Sequence, residues 1–161
     1  MSNRIMKQSG FTLLEVLVAM LVMAIGLLGL AGLMASSMRN NLSASHRTQA
    51  TWMAYDIVDR MRASRASAVA GNYTTALGAA ATCVAAPSTS GSVPVQDIAA
   101  WKNQLACVLP AGNGSISVNV DATTKLATAT IVVQWDDSRG LVDSGSPANQ
   151  AVKTFKVETL L

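Results

Sequence analysis

Residues 9–18 read Ser-Gly-Phe-Thr-Leu-Leu-Glu-Val-Leu-Val, and they set one carboxylate, Glu15, at the mouth of a long apolar run. Ahead of Phe11 stand Arg4 and Lys7 with no acid, and from Val16 to Ala35 there is no charge at all. About 20 apolar residues, at a helical rise of roughly 1.5 Å each, cross a hydrocarbon core of about 30 Å, and a basic leader stays on the cytoplasmic side. The pattern predicts a single-pass inner-membrane helix with the body of the chain outside. A carboxylate at the centre of a spanning helix costs roughly 2.5–3.5 kcal/mol on insertion scales, so Glu15 calls for a partner.

The helical pattern runs on past the apolar segment. Arg39 to Arg65 contains no Pro and no Gly, and Ala50, Met53, Ala54, Ile57, Val58 and Met61 recur at the spacing of one buried stripe. Asp56, Asp59, Arg60 and Arg62 fall largely on the other faces, with Asp56 and Arg60 at the i, i+4 spacing of a helical ion pair. One helix of about 50 residues, roughly 75–80 Å, is predicted, apolar in its first half and amphipathic in its second.

The basic leader, Gly10, Phe11, Thr12, Leu13, Leu14, Glu15 and the long apolar helix together resemble the N-terminus of type IV pilins and type II secretion pseudopilins. The resemblance implies cleavage by a prepilin peptidase between Gly10 and Phe11, N-methylation of Phe11, and a filament-assembly role for Glu15, the fifth residue after the cut. Cleavage would create an ammonium at Phe11, and Glu15 could neutralise that of a neighbouring subunit inside an apolar filament core. A buried pair of this kind is better suited to fixing register than to adding stability. The implied organisation is a leader over 1–10, a transmembrane and filament-core half-helix over 11–38, an amphipathic half over 39–65, and a globular domain over 66–161. Many major pilins carry a proline in the middle of this helix. This chain has none, but has Gly26, Gly29 and Gly32, each costing about 1 kcal/mol relative to Ala in a helix interior.

Three other readings use the same residues. Ala35, Ser36 and Ser37 could form a signal-peptidase site, although a secretory apolar region is usually only about 7–15 residues and does not open on a glutamate. The segment could be a plain anchor with an incidental Glu15. The three glycines could be a helix-packing face, which is compatible with the pilin resemblance.

The segment Thr48 to Arg65, with Trp52, Tyr55, Asp56, Asp59, Arg60 and Arg62, is similar to the minor pilins of the PilV group. Trp52 and Tyr55 are expected to pack against the globular domain. From Ala66 to Gly91 the chain is rich in Ala, Ser, Thr and Gly and reads as an extended connection. It holds Cys83, and the other cysteine is Cys107. In an exported domain such a pair favours a disulfide over a metal site, and closing the loop contributes about 3 kcal/mol.

Asp97 is expected to cap a short helix carrying Ile98, Trp101, Leu105 and Val108 and ending at Pro110, with Trp101 in the core. Asn113-Gly114 reads as a turn before a strand at Ser115 to Val120, and Asp121 to Lys125 as the turn of a hairpin. Leu126 to Trp135 is the second strand, with Ala129, Ile131, Val133 and Trp135 on one face, and Val152 to Thr159 the third, with Phe155 and Val157 opposed to Lys156 and Glu158. The predicted class is therefore α+β, a long N-terminal helix packed on a small antiparallel sheet as in pilins. The Leu-Pro-Ala-Gly exit from the short helix and the Val-Gln-Trp strand again resemble the PilV group.

Without Arg4 and Lys7, the twelve basic residues fall nearly into balance with the nine acids, so no nucleic-acid partner is expected. His46, the single histidine, lies among Ser, Ala and Arg with no partner for catalysis or zinc. Asp136, Asp137 and Asp143 match no defined calcium loop and read as an ordinary hairpin connection. No enzyme, cofactor or metal is expected. The resemblance implies a minor pilin taking part in initiation of the pilus or in its tip complex. Its partners would be prepilin peptidase, other minor and major pilins and, before assembly, inner-membrane lipid. The domain would face the periplasm and then the exterior. Two alternatives remain: an I-type minor pseudopilin of type II secretion, and a surface-binding adhesive pilin.

Overall fold

The computed structural model describes residues 10–79, 81–87, 89–140 and 151–161. Arg4, Lys7 and Asp143 lie outside the described residues. In chain order the elements are α1 (Leu13–Ala63), α2 (Arg65–Val69), α3 (Val93–Val108), β1 (Asn113–Val120), β2 (Ala127–Asp136) and β3 (Val152–Leu160). The chain divides into two compact units, Met1–Met38 and Arg39–Leu161.

In the first unit the described residues are the start of α1, and their large apolar side chains are exposed along its length. Among the described residues α1 is the one helix long and apolar enough to cross a membrane, with a mean hydropathy of 2.7 in its most apolar window.

In the second unit the amphipathic half of α1 packs on a three-stranded antiparallel sheet of order β1-β2-β3. Register follows from the alternation of β2, whose Ala127, Ala129, Ile131, Val133 and Trp135 all face inward. Slipping by one residue would turn that whole set to solvent. Ile131 stands opposite Ile116 on one side and Val157 on the other, and Val133 opposite Phe155. Against this face lie Ala50, Ala54, Ile57, Val58 and Met61 of α1, the predicted stripe, with Met53 packed at its margin. Trp101 and Leu105 of α3 close the core from the side, and the Trp101 indole N–H donates to the Met53 carbonyl at 2.9 Å.

Four sequence expectations are corrected. Trp52 and Tyr55 do not pack on the domain: they are 70% and 52% exposed, on the face of α1 opposite the buried stripe. The third helix starts at Val93, not at Asp97, because Pro94 sits in its first turn, where its missing N–H costs nothing. Asn113 and Gly114 are the first residues of β1 rather than a turn. Gly114 is there for space, since a Cβ would run into the Trp101 ring and the Leu105 side chain. Finally, the 66–91 connection is partly structured. It begins inside α2, buries Ala68 and Tyr73, and forms a bridge between Thr75 and Ile116.

Asp97, freed from capping, ties three segments together. Its carboxylate accepts from the Tyr73 hydroxyl at 2.6 Å and from Arg60 Nη1 at 3.3 Å, while Arg60 Nε donates to Asp56 at 3.0 Å. Burial works against the Arg60 charge, but the hydrogen bonds and charges of Asp56 and Asp97 more than offset it and hold the guanidinium's pKa above its ordinary value. Burial, then the bond to Asp97, raises that of Tyr73. Asp97→Ala is expected to destabilise the domain by about 1–3 kcal/mol, because it strands a buried phenol and half of the Arg60 fork. A urea melt checks this, and an unchanged midpoint would refute it.

The Asp121 to Lys125 turn is as expected. Asp121 Oδ1 accepts the Thr123 and Thr124 amides at 2.8 and 2.6 Å, which lowers the Asp121 pKa, and Lys125 takes a positive φ of 58°.

Candidate processing and assembly site

Gly10, Phe11 and Thr12 precede the first helical turn, and Phe11 is 84% exposed. Thr12 is the residue that starts α1. Its carbonyl accepts the Glu15 and Val16 amides at 3.1 and 3.3 Å, and its hydroxyl also accepts the Glu15 amide at 3.3 Å. Thr12-Leu13-Leu14-Glu15 thus has the Thr-x-x-Glu spacing of a capping box, with Glu15 in the first turn, where the positive end of the helix dipole favours a carboxylate. This spacing was visible in the sequence.

Phe11, Glu15, Val16, Ala19, Met20 and Met23 line one shallow, mostly apolar groove of about 440 Å³. The helical offsets put Glu15, Ala19 and Met23 in one row and Val16 and Met20 in the next. Three properties follow for the chemistry. The Gly10–Phe11 peptide lies outside the helix, so no helical hydrogen bond need break for a protease to reach it. A new amino group at Phe11 would open onto the same groove as the Glu15 carboxylate. The groove's other walls are thioether and hydrocarbon, so a second apolar helix can lie along them.

Cys83 and Cys107 form a disulfide across a sequence separation of 24. It fastens an extended segment to α3, where Asn103 donates to the Val84 carbonyl at 2.9 Å and accepts from the Val84 amide at 2.8 Å. Lys102 and Asn113 extend the same strapping, donating to the carbonyls of Ala76, Leu77 and Gly78 at 2.9–3.0 Å.

Two further expectations are revised here. His46 is buried and has a neighbour after all: its Nδ1 lies 3.6 Å from Asp137 Oδ1, and neither atom has a hydrogen-bond partner. Asp137 is therefore not an exposed loop carboxylate. It is 2% exposed and accepts a hydrogen bond from Ser43 Oγ at 2.5 Å, clasping the β2 end of the sheet to α1. The order Ser43–Asp137–His46 does not make a nucleophile, because Ser43 donates to the carboxylate rather than to the imidazole. Among the described residues no three His, Cys, Asp or Glu side chains are placed to hold a metal ion.

Residues 5–31 match the family model described as the prokaryotic N-terminal methylation motif. Comparison with the curated proteins and with the solved structures finds no match. The motif indicates a precursor of the type IV pilin-like or pseudopilin type and implies processing by prepilin peptidase. It covers Gly10, Phe11 and Glu15. With the apolar half of α1, it fits anchoring by a single pass through the membrane.

Proposed function

We propose that this chain is a minor pilin of a type IV pilus, resembling the PilV group, that is cut between Gly10 and Phe11, methylated at Phe11, and recruited to the filament through Glu15. The observation that carries this reading is the methylation motif on a capped helix whose apolar face has no cover of its own. Before assembly the 11–38 half would lie in the inner membrane, and afterwards among the equivalent helices of other subunits. An apolar surface of that extent needs lipid or similar helices around it. The 39–65 half and the 66–161 domain would then stand in the periplasm and later on the pilus surface. The role is structural. An I-type minor pseudopilin of type II secretion shares the same N-terminal motif and is the second reading; the disulfide-strapped domain favours the pilus.

Intact-mass measurement of the membrane-extracted protein, co-expressed with a prepilin peptidase, tests the processing route. The expected mass is that of a chain starting at methylated Phe11, lighter by the thiol hydrogens of Cys83 and Cys107 until reductant is added. A start after Ser37, or an uncut chain, would overturn the assignment.

A further inference from the structure

Between Glu15 and Asp56 the chain has no acidic residue, yet Arg39, His46 and Arg47 follow the apolar run on α1. In sequence Arg39 and Arg47 follow Met38 by one and nine residues. Basic residues that closely follow a membrane span meet anionic headgroups.

The fold gives Arg47 a companion from the far end of the sequence. Arg47 and Lys153 together line a groove of about 400 Å³ whose remaining walls are Thr51, Trp135, Thr154 and Phe155. The same two cations line an adjoining groove of about 410 Å³ with Asn40, Ser43, Ala44, Asp137 and Gly140. Among the described residues neither cation forms an ion pair, whereas Arg60, Arg62 and Lys156 all do. The carboxylate in the adjoining groove, Asp137, is buried, taken by Ser43, and faces His46. The first groove thus carries two cations free of ion pairing, two threonines, and the half-buried Phe155 ring.

We infer that the Arg47–Lys153 groove binds the phosphate of an anionic membrane phospholipid, with Arg47 and Lys153 as the charged contacts and Phe155 against the glycerol and upper acyl carbons. The inference rests on the membrane-anchored reading above. A phosphodiester presents several acceptor oxygens and matches a guanidinium beside an ammonium. Arg47 follows Met38, the last residue of the apolar half, by nine residues in the chain, so one of the groove's cations is close in sequence to the segment read as membrane-spanning. A headgroup held there would fix the height and rotation of the chain before it leaves the membrane.

The test uses the full chain released from membranes in mild detergent, with bound lipid counted by native mass spectrometry as phosphatidylglycerol, phosphatidylcholine or inorganic phosphate is titrated. Phosphatidylglycerol is expected to bind in preference to phosphatidylcholine. The double variant Arg47→Gln/Lys153→Gln should weaken it roughly 30-fold, as two interfacial cations are lost. Lys156→Gln removes an equal charge from the same strand and should change nothing. Equal phosphatidylglycerol binding by the double variant and the parent would overturn the inference, as would equal weakening by Lys156→Gln. Displacement of the lipid by inorganic phosphate at matched concentration would show a free-anion site and overturn the lipid assignment. Carbonate extraction of the same membranes separates the two levels: a chain that leaves with carbonate refutes the anchoring, while an anchored chain indifferent to Arg47 and Lys153 refutes only the groove.

Discussion

Glu15→Ala is expected to reduce the incorporation of this chain into filaments by more than about a hundredfold while leaving the 39–161 domain folded. The cause is an asymmetry in buried ion pairs. An ammonium and a carboxylate together in an apolar bundle nearly break even, but removing one partner leaves the other charge uncompensated, at about 3–5 kcal/mol. Within the proposed filament, the stranded charge is the amino group of Phe11 on a neighbouring subunit. The capping geometry adds a smaller loss in the chain itself, because Glu15 occupies the first turn that Thr12 caps. Glu15→Gln separates the two effects. It keeps a side chain that completes a capping box but carries no charge, and it should assemble as poorly as the alanine variant. The measurement is the ratio of sheared-filament to membrane protein, with intact mass confirming normal cleavage. Wild-type incorporation of either variant would remove the assembly role.

Trp101→Ala should have the largest effect on the domain, about 3–5 kcal/mol of lost stability, in the range for a fully buried aromatic. The ring is completely enclosed and does two jobs. It fills the space that the absent side chain of Gly114 leaves at the start of β1, and its N–H satisfies the Met53 carbonyl on α1. Removing it therefore opens a cavity between helix and sheet and loosens the contact of α3 with both. Trp101→Phe restores most of the volume without the donor and should recover more than half of the loss. Denaturant melts followed by near-ultraviolet circular dichroism would measure both. A loss under about 1 kcal/mol for the alanine variant would mean that α3 is peripheral to the core.

The elements that were legible in the sequence are those whose side chains alternate or recur because burial is one-sided. The stripe from Ala50 to Met61 and the inward set Ala129, Ile131, Val133 and Trp135 could be read from period alone. The errors occurred where one residue serves a distant neighbour. Asn113-Gly114 has the composition of a turn, but its glycine answers to Trp101, and its asparagine side chain reaches back to the carbonyls of Leu77 and Gly78. Asp97 has the composition of a cap, but its carboxylate is directed to Arg60 and Tyr73. Trp52 and Tyr55 have the composition of core, but helical phase sets them outside the buried stripe. At the candidate site Gly10, Phe11 and Glu15 stand within one short local motif, which can be recognised without the fold. The contact of Ser43 with Asp137 cannot, since 94 positions separate the two and neither belongs to a motif.

The core of the domain joins Ala54 and Ile57 on α1 to Ile131 and Val133 on β2, so its two halves belong to distant parts of the chain. Closing a loop of that length must precede the contacts that reward it, which makes folding slow relative to helix formation. The apolar half of α1 needs only its own hydrogen bonds and can insert in the bilayer well before the domain exists. Until the sheet forms, the Ala50–Met61 stripe is uncovered. On the membrane-anchored reading proposed above, the chain is tethered before its core closes, leaving an early window in which proteases and chaperones can act on the stripe.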